Sequence, residues 1–287
     1  MRFLKKQTRK AILLLLLCIL LTAGGCSDTD PDTPVTTPIQ PDEPFFSLTD
    51  ADTATSADDA RRIDLDQFSG ECVITQPGSY ILSGSLEGTL VVDAQEQIVH
   101  LVLDGVSVHS RSGPALNVLS AGKLILTLAD GSENRFRDSG TYPAGAEEDA
   151  CIFSVCDLTV NGSGKLDVYG YHKDAIHTKD VLKLLGGDII LHAKRDGLHG
   201  NDGIAVCCNA LDVQCERNGL HTTKTGASPK GNIEIYSGDC SVIAGKYAVS
   251  CIGDLRISGC RLYTMGVYGD FSVSGTQNID RECLDHE

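Results

Sequence analysis

The chain has 287 residues and a formal net charge of −15, with Asp and Glu outnumbering Lys and Arg 39 to 24. That balance argues against nucleic acid as a partner, because direct attraction to phosphate needs a basic footprint. It leaves solubility, or the collection of divalent cations, as the use of the surplus negative charge.

Arg2, Lys5, Lys6, Arg9 and Lys10 precede the apolar run AILLLLLCILL, and TAGGC follows, ending at Cys26. This is the pattern of a secretory signal. The run is short for a transmembrane helix, which needs about 20 residues. The small residues before Cys26 resemble a bacterial lipoprotein signal, so residues 1–25 are expected to be removed and Cys26 to carry lipid, leaving a membrane anchor on the extracellular face. Cleavage by an ordinary signal peptidase is the alternative, and either route exports the protein. Residues 26–60 are rich in Pro, Thr, Asp and Ser and poor in apolar side chains, which predicts an extended disordered tether. Residues 61–275 are long enough for one large domain, with 276–287 as a C-terminal tail. Beyond Cys18 and Cys26, ten cysteines remain; export permits disulfides, and buried free thiols fit as well.

Within the domain one motif returns. Lys173–Asp180 reads KDAIHTKD, Arg195–Asp202 reads RDGLHGND and Arg217–Lys224 reads RNGLHTTK, so His177, His199 and His221 are 22 residues apart. VLKLLGGDIILHA from Val181 is matched by GIAVCCNALDVQC from Gly203, by NIEIYSGDCSVIA from Asn232 after a seven-residue insertion, and earlier by DLTVNGSGKLDVYG from Asp157. Apolar residues alternate within each copy, the mark of short strands with one buried face, and Gly186-Gly187, Asp196-Gly197 and Asn218-Gly219 supply turns. Short strands recurring at a fixed period predict an all-β parallel β-helix, a solenoid with coils of about 22 residues. An antiparallel sandwich is the rival.

GPALNV at Gly113, DACIFSVCDLTVNGSGKLDV from Asp149, HKDAIHTKDVLKLLGG from His172 and RDGLHGNDGIAV from Arg195 resemble a bacterial extracellular carbohydrate-binding family. The resemblance implies a right-handed parallel β-helix similar to pectate lyases, binding of polygalacturonate and also cellulose, and calcium held by acidic residues. It does not by itself imply lyase activity. The chain departs from the regular pattern where Cys208-Asn209 replaces Gly186-Gly187, and where Cys156 stands in the place of Asp180 and Asp202.

Several columns are candidates for the site. Asp174, Asp196 and Asn218 share one register and Asp180 and Asp202 another; stacked carboxylates repel unless something intervenes, and calcium takes such oxygens. Corner positions also favour Asp and Asn for their turns alone. Ile176, Leu198 and Leu220 are expected inside, so His177, His199 and His221 are expected to face outward, stacking on one another, touching sugar or holding a transition metal. Lys173, Arg195 and Arg217 form a cationic row suited to successive uronate carboxylates, or to neutralising the neighbouring aspartates. With no Trp and scattered Tyr, no aromatic platform for crystalline cellulose is legible. The expected function is therefore calcium-assisted binding of an acidic plant cell-wall polysaccharide by a lipid-anchored protein without catalytic residues. A calcium-dependent polyuronate lyase is the alternative.

Overall fold

The computed structural model describes residues 43–57 and 59–285. The expected signal and Cys26 lie outside the described residues. In chain order the strands are β1 Arg61–Asp64, β2 Gly70–Ile74, β3 Gly78–Asp93, β4 Ile98–His109, β5 Leu116–Ser120, β6 Lys123–Leu128, β7 Glu133–Arg137 and β8 Ala150–Ser154. They continue with β9 Asp157–Gly162, β10 Lys165–Gly170, β11 Asp174–Thr178, β12 Val181–Leu184, β13 Asp188–Ala193, β14 Leu198–Gly200 and β15 Gly203–Cys215. The last are β16 Leu220–His221, β17 Asn232–Ala244, β18 Tyr247–Cys251, β19 Leu255–Ile257, β20 Arg261–Gly266, β21 Gly269–Val273 and β22 Gln277–Ile279.

The all-β expectation holds and the ladders are parallel, but the open right-handed β-helix does not. The ladder β4–β6–β9–β12–β15–β13–β10–β7 returns to β4, closing the sheet into an 8-strand parallel barrel. Two long strands make the closure. The first half of β4 pairs with β6 and its end with β7, the chain bending at Gly105, whose φ of 76° suits glycine. Likewise Gly203–Val206 of β15 pairs with β12, and Ala210–Cys215 with β13. Where Gly186-Gly187 breaks β12 from β13, the equivalent Cys208-Asn209 lets β15 run on through the corner. The departure from the repeat visible in the sequence thus marks a point of closure.

Inside the ring, Leu126, Leu158, Leu182 and Leu184 from one flank meet Phe136, Leu166, Val168 and Leu191 from the other, all essentially inaccessible to water. A third wall, β2–β3–β5–β8–β11–β14–β16–β18–β21, adds Leu116, Ile152, Ile176, Leu198 and Leu220 to the same core. Burying such a side chain is worth about 1.5–3 kcal/mol, and the column exists because each strand offers its apolar side to the same space at the same register.

The described part of the expected tether is not extended. Residues 43–57 lie across the outside of the barrel as a strap that contains one short helix, α1 (Asp50–Thr53), capped by Thr49. Phe46 packs with Leu185, Ala205, Cys207 and Tyr236. The Phe45 and Phe46 amides donate to the buried Glu234 carboxylate at 2.8 and 3.3 Å. Asp52, fully buried, accepts from Thr159 Oγ1 at 2.6 Å and pairs with Lys123 Nζ at 2.8 Å and Lys183 Nζ at 3.0 Å.

Candidate functional site

On the outer side of the third wall the strand registers align Val73, Val91, Asn117, Phe153, His177, His199, His221, Ser250 and Ser272 in one column. Each residue follows an inward apolar one, as His177 follows Ile176, because successive strand side chains take opposite faces. The histidines stack as rungs: the rings of His177 and His199 are 4.0 Å apart and 5° from parallel, and His199 and His221 are 5.0 Å apart and tilted by 38°. Phe153 meets His177 edge-on at 5.4 Å.

These rings point away from the core as expected, yet they are not an exposed row: His177 and His199 are each 7% accessible. Their Nδ1 atoms face carboxylates, His177 to Asp149 at 2.5 Å and His199 to Asp174 at 3.1 Å. Their Nε2 atoms face Asn201 Oδ1 at 3.2 Å and Thr223 Oγ1 at 3.3 Å. Burial, then the neighbouring His199, push the His221 imidazole down to about 4.

Arg195 ties the two carboxylates together. Its guanidinium donates to both oxygens of Asp174, at 2.6 and 2.5 Å, and to Asp149 at 2.5 Å. Burial alone would raise the Asp174 and Asp149 carboxyls, but hydrogen bonds from histidine and Arg195 hold both below the usual range. The next rung is less complete. Asp196 Oδ1 accepts from the Asn218 backbone and side chain at 2.9 and 2.8 Å, while Asp196 Oδ2 and Asn218 Oδ1 are buried without a hydrogen-bond donor. Arg195 Nε and Arg217 Nη1 each stand 3.6 Å from Asp196 Oδ2. Burial and the nearby Asp174 charge raise the Asp196 carboxyl.

The donor atoms of Asp174, His177 and His199 lie within 4.8 Å of one another, which tests the transition-metal reading. It fits poorly: lone pairs of parallel rings run side by side and do not converge on an ion about 2.0–2.1 Å from each nitrogen. Both Nδ1 atoms and both Asp174 oxygens are already engaged. For calcium, Asp174 is committed to Arg195, and Asp202 pairs with Lys224 at 2.9 Å and Lys230 at 2.7 Å. Asp180 differs, having no ion-pair partner among the described residues; burial, then Asp157 and Asp202, raise its carboxyl. The oxygens of Asp157, Asp180 and Asp202 are not gathered as closely as the donor atoms of Asp174, His177 and His199.

The chain backbone strings the cations from rung to rung. Arg195 N donates to Lys173 O at 2.8 Å, Arg217 N to Arg195 O at 2.8 Å and Lys246 N to Arg217 O at 2.6 Å. The seven-residue insertion takes Lys246 off the 22-residue interval, and Asp149 stands 25 rather than 22 residues before Asp174, although Asp149-Ala150 echoes Asp174-Ala175. Asn201 and Thr223 do carry the 22-residue interval, as followers of Lys179. The tyrosines are less scattered than they read: Tyr169 stacks on His192 at 4.8 Å beneath the Arg137 guanidinium. Those ring faces cover each other and form no flat platform.

Residues 69–278 match the family model described as carbohydrate-binding domain-containing protein. The chain belongs to that family. A carbohydrate-binding domain-containing protein of Acetivibrio thermocellus is 30% identical over 220 residues, covering 75% of this chain and 77% of that protein. Among solved structures, a gadolinium derivative of the polysaccharide lyase-like protein from C. thermocellum superposes with a TM-score of 0.70 at 29% identity, covering 75% of this chain and 89% of that one. Membership in the family makes a carbohydrate the partner class.

Proposed function

We propose that this carbohydrate-binding protein is held at the cell surface by lipid on Cys26 and retains an acidic plant cell-wall polysaccharide such as polygalacturonate, with calcium assistance and without catalysis. The observation that carries the reading is the cation column Lys173–Arg195–Arg217–Lys246, joined rung to rung by backbone hydrogen bonds. A polymer with a carboxylate on each unit meets cations at the regular interval of paired strands, about 4.8 Å. Arg195 is committed to Asp149 and Asp174, whereas the Arg217 side chain is 45% accessible. A lyase would need a base beside the bound uronate. Its two carboxylates push the Arg195 guanidinium still further from losing a proton despite its burial, which favours holding over cleaving. In electrophoresis through gels containing polygalacturonate, the wild type should be retarded with calcium and Arg217→Glu much less so. Free migration of the wild type with calcium and with chelator would sink the proposal.

Asp180 is the acidic residue proposed to meet calcium together with the polysaccharide, because it has no ion-pair partner among the described residues, although its oxygens are not gathered with those of Asp157 and Asp202 as closely as the Asp174, His177 and His199 donors are. Millimolar CaCl2 should raise the melting temperature of the wild type by mass action, and Asp180→Asn should abolish that increment. An equal increment in the variant would remove calcium from Asp180.

A further inference from the structure

The opposite end of the same outer column is a different kind of site. A cleft of about 340 Å³ opens over β2, β3 and β5, within the range of small-molecule pockets, about 300–1,000 Å³. Its floor follows from strand alternation. Cys72, Leu90 and Leu116 enter the core, so Val73, Val91, Asn117 and Leu119 turn outward. Val73 and Leu119 are 48% and 49% accessible, an apolar surface left uncovered inside a concavity.

One wall is the segment between β7 and β8, and it is fixed in place. Tyr142 Oη donates to Asp138 Oδ2 at 2.9 Å or to Ala150 O at 2.8 Å, and its ring stacks on His172 at 4.0 Å. Tyr171 N also donates to Asp138 at 2.6 Å. A wall so held need not be ordered when a ligand arrives.

The charged lining carries one sign, and Thr89, Ser112, Asn117 and Tyr142 are its neutral polar residues. Glu71, Asp93 and Glu148 line the cleft, and no Lys, Arg or His does so among the described residues. Asn117 Nδ2 donates to Glu148 Oε1 at 3.1 Å, which fixes the amide orientation and leaves Asn117 Oδ1 buried without a donor. The carboxylates do not converge on an ion: the only His/Cys/Asp/Glu group with ligand atoms gathered that closely among the described residues is at Asp174, His177 and His199.

We propose that this cleft is a subsite for an uncharged sugar unit, whose hydroxyls donate to Glu71 and Glu148 while its C–H face lies on Val73, Val91 and Leu119. Three carboxylates without a cation repel a uronate, so the two ends of the column select opposite chemistries on one glycan or on two. The inference rests on carbohydrate binding by this chain and not on the acidic-glycan assignment.

Isothermal titration of the chain from residue 27 onward with cellohexaose, xylohexaose, mannohexaose and oligogalacturonate tests it, with and without EDTA. At least one neutral oligosaccharide should bind, unaffected by EDTA. Leu119→Lys and Glu71→Lys, both at accessible positions, should weaken that binding about tenfold or more, about 1.4 kcal/mol, while leaving oligogalacturonate binding unchanged. Arg217→Glu should do the reverse. Wild-type affinity for the neutral sugar in both cleft variants, loss of that binding in EDTA, or no binding of any neutral oligosaccharide would each overturn the subsite. Loss of oligogalacturonate binding alone would count only against the acidic-glycan reading.

Discussion

Asp52→Ala should lower the free energy of unfolding by about 3–5 kcal/mol, the cost of removing one partner from a buried ion pair. Lys123 and Lys183 both direct their ammonium groups at this carboxylate, and their side chains are only 11% and 7% accessible. Without Asp52, two largely buried cations lose their counter-ion, and the Thr159 hydroxyl and the Thr49 amide lose an acceptor. Urea denaturation at pH 7 measures the effect, and adding Lys183→Met to the variant should recover part of it by removing one stranded charge. Burial by itself would raise the Asp52 carboxyl, but its four hydrogen-bond partners outweigh burial and hold it well below the ordinary value. The folded pKa is therefore the lower one. The stabilisation is full above the unfolded pKa of about 4 and fades as pH falls through the folded value. The gap between wild type and variant should accordingly narrow in acid.

That strap shows where the sequence stopped being legible. A segment of Pro, Thr, Asp and Ser has too few apolar residues to predict packing, and Asp52 is one of many aspartates in it. Its partners come from strands more than 70 residues away, an arrangement that no local pattern encodes. The parallel ladders, by contrast, were written in the 22-residue interval, since Ile176, Leu198 and Leu220 must occupy one column if each rung stacks on the next. Closure of the sheet is not legible in the repeat. It depends on whether a corner breaks the strand, as at Gly186-Gly187, or carries it through, as at Cys208-Asn209, and the same repeat tolerates both. Likewise the histidine spacing predicted a stack, but its burial comes from Asp149 and Arg195 on one edge and Asn201 and Thr223 on the other. Only the Asp149 contact lacked the period that would have exposed it.

Within the cation column, Asp174→Ala and Arg217→Ala should separate a structural guanidinium from one available to ligand. Asp174 is fully buried, engages both Arg195 and His199, and accepts from Asp196 N at 2.9 Å. Its loss should cost about 3–5 kcal/mol, because Arg195 would keep only Asp149 as a bonded carboxylate. Asp174→Ala combined with Arg195→Met should be less unstable than the single variant. The Asp174 carboxyl is depressed in the folded state, so this contribution too is lost as pH falls through its folded pKa, and the two proteins should converge in acid. Arg217 sits 3.6 Å from Asp196 with nearly half its side chain in water, so removing it should cost under about 1 kcal/mol. If chemical denaturation instead finds Arg217→Ala as damaging as Asp174→Ala, Arg217 is a structural counter-ion and the polysaccharide contact must move to Lys173 and Lys246. A stable Arg217→Ala that no longer migrates slowly in polygalacturonate would assign Arg217 to the ligand and leave Arg195 as the residue that holds the column in shape.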